Sequence, residues 1–269
     1  MKKITMFFFL FVFVLVATFC YSRPAVALSY FVYNDYGGTW HDADKTWSND
    51  ALMCWAGSAS NILAWTGWGY PTSQAFRNED DIFQYYRDHW ADRTGGVEYA
   101  ERWWFDGIDR WSGTRVDVQG GGFWEPNYHF DDYWSIWSLL DQAGMENTES
   151  FLRSGYGIDL SVNLEGVASH SITLWGLEYE LINGTDRLYT GAYVTDSDDG
   201  VNALQFYPIT LQDRRWYMDG LWGYDDWKIS SARGLEHAPF QVAAVPEPTS
   251  MLLRGLGLIG LAGIRRKLQ

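Results

Sequence analysis

Three stretches of the chain space their apolar residues every three to four positions, which is the pattern of an amphipathic helix. The first covers residues 54–65 and stops before Gly67, a residue that commonly ends a helix. The others cover residues 79–90 and 131–142. The sequence therefore predicts three helices, and Cys54 lies near the N-terminus of the first.

After Gly157 the pattern changes to short runs rich in β-branched and aromatic residues, which is typical of strands. These runs are residues 158–162, 171–181, 188–195 and 204–210. Helices followed by an antiparallel sheet predict an α+β domain. No internal repeat and no Gly/Ser or Pro linker interrupts the chain before residue 241, so residues 28–244 are expected to form one domain.

The pair Asn183-Gly184 lies between two of the predicted strands and is a strong signal for a hairpin turn. With a loop of two to four residues, His170 falls opposite residues 196–199 on the returning strand. That window contains Asp196, Asp198 and Asp199. Because opposite and diagonal side chains on one face approach each other, the hairpin is expected to bring an imidazole and a carboxylate together.

The N-terminal residues have the three parts of a secretory signal peptide. Lys2 and Lys3 precede an apolar run over residues 6–19, and the small-x-small triplet Ala25-Val26-Ala27 follows. The sequence predicts that residues 1–27 are removed by cleavage after Ala27, so that the mature protein is exported.

The C-terminal residues have a different signature. Val245-Pro246-Glu247-Pro248 precedes an apolar, Gly-rich stretch of residues 251–264, and Arg265-Arg266-Lys267 follows. About 14 residues rise about 21 Å as a helix, against a bilayer core of about 30 Å, which favours a temporary anchor. Residues 245–269 resemble the PEP-CTERM sorting signal of Gram-negative bacteria. The resemblance implies an exosortase-type sorting enzyme as partner, transient membrane association and an outer-surface or extracellular location.

The charge of the chain limits the class of its partners. The 269 residues include 34 acidic and 20 basic side chains, a net charge of −14. Without the two terminal segments, residues 28–244 keep 33 acidic and 13 basic side chains, a net charge of −20. This sign is wrong for binding phosphates, so a nucleic-acid partner is not expected.

The mature protein keeps one of the two cysteines, Cys54, because Cys20 lies in the signal peptide. A lone exported cysteine is either a buried apolar residue or a reactive group. A helix N-terminus and a nearby imidazolium can lower a thiol pKa from about 8.5 to roughly 3.5–7.5. If His170 approaches Cys54 and an aspartate orients the ring, the three form a nucleophile, a base and an orienting group.

Four motifs of the chain make this combination recognisable. They are Lys45-Thr46-Trp47, Leu52-Met53-Cys54-Trp55-Ala56 with Ser60-Asn61-Ile62-Leu63, His170-Ser171-Ile172-Thr173-Leu174-Trp175-Gly176, and Tyr193-Val194-Thr195-Asp196-Ser197-Asp198. Over roughly residues 41–230 these motifs and their spacing resemble the IdeS/Mac family of immunoglobulin-degrading cysteine endopeptidases. The resemblance implies a papain-like α+β fold, with a helical N-terminal part and an antiparallel sheet in the C-terminal part.

The same resemblance implies a role for each site residue. Cys54 is the nucleophile, His170 the base and Asp196 the group that orients it. Asp198 is a supporting acid, and Lys45 stabilises the oxyanion together with the Cys54 N–H. A cation near a developing oxyanion is a large source of stabilisation in acyl transfer. No cofactor or metal is implied.

Two of these assignments have alternatives. Lys45 lies between Asp44 and Asp50 and is also compatible with a solvated surface lysine. His170, Asp196 and Asp198 are of ligand types that suit several divalent metals, although no second histidine follows at the helical i, i+4 spacing.

The 16 tryptophans suggest another class of function, because exposed aromatic rings can stack on sugars. Trp55, Trp65, Trp137 and Trp175 stand beside apolar neighbours and are expected in the core. The sequence therefore predicts an exported cysteine endopeptidase that hydrolyses an extracellular protein. The alternative is a non-catalytic, aromatic-rich module that binds an extracellular glycan or protein.

Overall fold

The structure, a computed structural model, describes residues 27–107, 110–111, 114–115 and 118–240. Except for Ala27, the expected signal peptide lies outside these residues, as does the segment 245–269. The described helices are α1 (Tyr33–Tyr36), α2 (Cys54–Thr66), α3 (Glu79–His89), α4 (Val97–Asp106) and α5 (Asp141–Arg153). The described strands are β1 (Ala27–Phe31), β2 (Arg110–Trp111), β3 (Thr114–Arg115), β4 (Trp134–Ser138), β5 (Tyr156–Leu164), β6 (Ala168–Ile182), β7 (Asp186–Thr195), β8 (Gln205–Gln212), β9 (Arg215–Met218) and β10 (Trp227–Glu236).

Six of the strands form a closed antiparallel barrel. The order around the ring is β6, β5, β10, β9, β8 and β7, and β7 pairs with β6 again to close it. The long strand β6 also pairs with β1 beyond the end of β5, and β10 pairs with β4 beyond the end of β9. Closure leaves no free edge on these six strands, which removes a site of edge-to-edge aggregation.

The expected papain-like α+β fold is wrong, because the sheet closes into a barrel. Alternating apolar residues predict where strands lie, but they do not say whether the first and last strands of a sheet pair with each other. Nor are the helices a separate N-terminal half, since β1 precedes them and joins β6.

The helix expected over residues 131–142 is also wrong. Phe130–Asp132 is a short 3-10 turn, Trp134–Ser138 is the strand β4, and α5 begins at Asp141. Strand β4 pairs with β10, and this pairing overrides the local helical spacing of the apolar residues.

The hairpin predicted at Asn183-Gly184 is confirmed. Strands β6 and β7 pair from Ile182 and Asp186 at the turn to Thr173 and Thr195 at the far end. The register shifts at two points between these pairs, but the two shifts cancel. The far end of the hairpin therefore has the same register as the turn. The start of β6 therefore lies beside the loop that follows β7.

Helix α2 is buried from Trp55 to Thr66 between the barrel and the helices α3 and α4. Of the tryptophans expected in the core, Trp55, Trp65 and Trp175 are buried, and Trp137 is half-buried and stacked on a phenylalanine ring. A helix enclosed on all sides must present apolar or small residues in every direction, as the sequence of α2 does.

A buried polar layer joins α2 to the barrel. The Ser58 hydroxyl donates a hydrogen bond to Asp159 on β5 and lies 3.1 Å from the Thr173 hydroxyl on β6. The Asn61 amide donates to Thr173 at 3.2 Å and accepts the backbone N–H of Ala43 at 2.8 Å. Because an unpaired buried polar group costs about 1–3 kcal/mol, these bonds fix the position of α2 along the barrel.

The first turn of α2 lies directly against the loop after β7 at Gly57. A Cβ atom at this position would stand 2.7 Å from the Ser197 Cβ and 3.3 Å from the Ala43 carbonyl oxygen. The nearest neighbour is attached to backbone, so a methyl group would require the helix or the loop to move.

Gly57→Ala is therefore expected to lower the free energy of unfolding by about 1–3 kcal/mol, the usual effect of overpacking. At an unobstructed helical position the same change stabilises, by about 0.5–1 kcal/mol. Urea denaturation of the two proteins measures the sign. Ser60→Ala is the control, because that hydroxyl bonds to the Ala56 carbonyl of its own helix. Unchanged or increased stability of Gly57→Ala would contradict the close contact.

Candidate active site

Cys54 is the first residue of α2, as predicted, and it is a free, partly exposed thiol. The helix starts there because the Met53 N–H bonds to the Asp50 carbonyl in a turn, after which the Met53 carbonyl accepts the first helical bonds. No side chain caps this end of the helix. The positive end of the helix dipole therefore lies at the first turn of α2, where Cys54 stands.

His170, near the start of β6, is buried and makes a hydrogen bond of 2.6 Å from Nε2 to the Asp196 carboxylate. Its other ring nitrogen, Nδ1, remains for the sulfur of Cys54. Burial lowers the pKa of His170, but the hydrogen bonds with Asp196 and Cys54 outweigh burial and raise the pKa to about 10. The ring is therefore an imidazolium at neutral pH.

Asp196 is completely buried and stays ionised because several donors point at it. Burial raises the pKa of the carboxyl, but the bond to His170 and the N–H donors of Asp198 and Trp222 outweigh it, so the pKa lies below its usual value. The Asp198 backbone N–H is 2.9 Å from Oδ1, and the Trp222 indole nitrogen is 2.9 Å from Oδ2. Both oxygens are thus held, and the plane of the carboxylate is fixed.

Lys45 is buried, contrary to the alternative of a solvated surface lysine. Its side chain is 1% exposed, and its ammonium lies 2.5 Å from the Asp198 carboxylate and 2.7 Å from the Ala51 carbonyl oxygen. The ammonium also lies over the Trp47 ring, 4.5 Å from its centroid. An ammonium has three N–H donors, and these two oxygens account for two of them.

A cleft of about 540 Å³ opens over these groups. Lys45, Cys54, His170 and Asp198 line it, and Asp196 lies behind the imidazole. The five residues that the sequence predicted for the site therefore converge on one cleft. They come from the loop before α2, from α2, from β6 and from the loop after β7.

Sequence reasoning missed Trp222. Its ring centroid lies 4.6 Å from that of His170, and its indole N–H bonds to Asp196, so it covers the bond between the two. The residue has a positive φ of 54°, a strained conformation that such sites often contain. No spacing in the sequence marks it, because it reaches the site through a turn far from the other motifs.

The ligand atoms of His170, Asp196 and Asp198 lie within 4.8 Å of one another, the arrangement that a metal site also needs. Here His170 is already hydrogen-bonded to Asp196, and Asp198 is already paired with the Lys45 ammonium. A divalent cation would be repelled by the Lys45 ammonium, which is bound to Asp198. The geometry thus favours an arrangement of ion pairs over a metal site.

Asp42 belongs to a group of neighbouring carboxylates that also includes Asp44, Asp196 and Asp199. Asp42 is 2% exposed, and it accepts the Ala203 N–H at 3.2 Å through Oδ2. Within the described residues its Oδ1 has no donor. Burial, together with the charges of Asp44 and Asp199, raises the pKa of Asp42 to about 8.

This pKa predicts how stability depends on pH. The Asp42 carboxyl titrates near pH 4 in the unfolded chain and near 8 in the folded protein, so the wild type should lose stability as the pH rises between these values. Asp42→Asn removes this loss, and its melting temperature should exceed that of the wild type at pH 9 but not at pH 5.

Asp225→Asn removes a charge at an exposed position and gives the baseline for the comparison. Calorimetry of the three proteins at both pH values makes the measurement. An Asp42→Asn protein destabilised equally at pH 5 and pH 9 would contradict the raised pKa of Asp42 in the folded protein.

Comparison with known proteins addresses the C-terminal end. Residues 244–267 match the PEP-CTERM protein-sorting motif, which confirms the sorting signal expected there. The motif indicates export and surface sorting in Gram-negative bacteria and recognition by an exosortase. No match to the chain was found among curated proteins. Among the described helices, none has the length and apolar character needed to cross a bilayer.

Proposed function

We propose that the protein is an exported cysteine endopeptidase that hydrolyses an extracellular protein through Cys54, His170 and Asp196. The observation that carries this proposal is the position of the His170 ring. One nitrogen bonds to a buried aspartate, and the ring interacts with a thiol at a helix N-terminus inside an open cleft. A nucleophile, a base and a group that orients the base are what acyl transfer needs, whatever the fold.

In the first half of the proposed reaction, the Cys54 sulfur forms a bond to the scissile carbonyl carbon. His170, resting as an imidazolium, gives its proton to the nitrogen of the departing amine, and the C–N bond breaks. The acyl group remains on the sulfur as a thioester. Asp196 keeps the ring oriented and stabilises its positive charge.

The second half of the reaction follows from the same electrostatics. Acylation removes the negative charge of the sulfur, which is one of the contributions that raise the pKa of His170. The imidazole can then accept a proton from water, and the resulting hydroxide attacks the thioester carbonyl. The carboxylic acid product leaves, and the sulfur regains the proton or stays ionised beside the imidazolium.

The negative oxygen of each tetrahedral intermediate needs donors. In the proposal these are the Cys54 backbone N–H and the third N–H of Lys45. Within the described residues the Cys54 N–H makes no hydrogen bond, and Lys45 is held in place by Asp198 and by the Ala51 carbonyl. Donors fixed in advance stabilise developing charge without reorganising during the reaction. Asp198 is thus a positioning residue for Lys45.

The sorting motif supports the rest of the proposal. A protein recognised by an exosortase must first leave the cytoplasm, which agrees with a signal peptide over residues 1–27 and a peptidase domain over residues 28–244. The motifs that resemble the IdeS/Mac family contain all five site residues and support peptide-bond hydrolysis. We propose an extracellular protein as the substrate.

Alkylation of Cys54 tests the proposal. Iodoacetamide should modify Cys54 at pH 6 at least about tenfold faster in the wild type than in His170→Ala, because a neighbouring imidazolium stabilises the thiolate. The two rates should converge near pH 10, where a thiol ionises without help. Mass spectrometry of the Cys54 peptide gives the rates.

His129→Ala is the matched control, since that histidine is exposed and does not line the cleft. Equal rates at pH 6 in the wild type and in His170→Ala would contradict the proposed pair. That result would favour the non-catalytic binding module instead.

The role of Asp196 has a separate test. Asp196→Asn should lower kcat for quenched fluorescent peptides by about 10³- to 10⁴-fold without lowering the melting temperature by more than a few degrees, because the amide no longer stabilises the imidazolium. Asp199→Asn is the control. Asp199 is in the same loop, but its carboxylate accepts a hydrogen bond from the Val201 N–H. Unchanged turnover in Asp196→Asn would assign the orienting role to another group.

A further inference from the structure

The lining of the cleft has the opposite charge balance to the rest of the domain. Residues 28–244 contain 33 acidic and 13 basic side chains, and Lys45 and Lys228 are the two lysines of that segment. Both line the cleft, together with Arg233. Among the described residues, Asp198 is the one carboxylate that lines it.

Most of these charges are already paired. Lys45 is bound to Asp198, and the Arg233 guanidinium donates to the buried Asp159 carboxylate at 2.9 Å. Lys228 is different, because it forms no ion pair within the described residues and is half-buried in the wall of the cleft. The cleft therefore presents one ammonium without a counter-charge, inside a domain that carries −20 overall.

A bulge in β10 places Lys228 there. Lys228 and Arg233 are five residues apart, so in a regular strand they would point to opposite faces of the sheet. The register of β10 against β5 shifts by one residue between Ile229 and Ser231. Because of this extra residue, both basic side chains reach the same face and line the cleft.

The neighbours of Lys228 are hydrogen-bonding groups. Asn163 on β5 is its direct cross-strand partner, and Ser169 on β6 is in turn the cross-strand partner of Asn163. Ser161 and Ser230 line the same wall. A wall of hydroxyls and an amide around one free ammonium suits a carboxylate better than an apolar or basic side chain.

We propose that the cleft selects peptide segments with an aspartate or glutamate side chain close to the scissile bond, and that Lys228 determines this preference. The inference rests on the proposed peptidase function and names the class of substrate that the site takes. An acidic domain repels acidic substrates at long range, so the preference has to come from this local positive wall.

Two alkylating agents of nearly equal size test the inference at Cys54. With either reagent the sulfur forms a bond to the CH₂ carbon and iodide leaves. Iodoacetate carries a carboxylate where iodoacetamide carries a neutral amide. The ratio of their rate constants therefore reports the charge that the cleft presents beside the sulfur.

We expect the ratio of iodoacetate to iodoacetamide rates to fall at least about threefold in Lys228→Gln and further in Lys228→Glu. Added salt should reduce the difference, because screening weakens the attraction. Arg215→Gln is the matched control, since this cation is exposed and does not line the cleft. It should keep the wild-type ratio.

Digestion of a proteome-derived peptide library gives the second readout. The wild type should enrich Asp and Glu at one position near the cut, Lys228→Gln should lose that enrichment, and Lys228→Glu should favour Lys and Arg. A rate ratio that is the same in the wild type and both Lys228 variants would overturn the inference, as would cleavage without acidic enrichment.

These results separate the inference from the function on which it rests. If cleavage requires Cys54 but is unchanged in the Lys228 variants, the peptidase function stands and the acidic preference is contradicted. If the rate ratio changes in the Lys228 variants but the iodoacetamide rate is unchanged in His170→Ala, the proposed peptidase function is contradicted. A Cys54 that reacts with neither reagent would contradict both.

Discussion

The candidate site depends on how helix α2 docks against the barrel. Cys54 is on the helix and His170 is on β6, so the distance between them depends on how the helix packs against the barrel. Ser58 and Asn61 on one side and Thr173 on the other form the buried hydrogen bonds that set this fit. Apolar contacts alone would tolerate a small slide of the helix, whereas buried polar groups must meet their partners.

The second constraint is electrostatic. The site buries two pairs of opposite charges, His170 with Asp196 and Lys45 with Asp198, on the same short loop after β7. Removing charge from water is costly, and such pairs persist where they are fully hydrogen-bonded. Here each partner is held by further donors or acceptors, so the pairs fix the positions of the groups around Cys54 rather than add stability.

Local sequence patterns predicted the meeting of His170 and Asp196 better than they predicted the fold. A strong turn signal at Asn183-Gly184 sets the register of one hairpin, and that register is local information that brings His170 beside Asp196. Closure of the barrel depends on pairings between strands far apart in sequence, which local periodicity does not encode. The strand at Trp134–Ser138 was missed for this reason, and so was Trp222, which reaches the site through a turn.

We propose that the Cys54 sulfur and the His170 ring form an interacting pair held by Asp196. Nitrogen-15 NMR of the imidazole as a function of pH, in the wild type and in Cys54→Ala, tests this interaction. We expect His170 to titrate near pH 10 in the wild type and at a clearly lower pH without the sulfur. Titration near pH 6.5 in both proteins would contradict it.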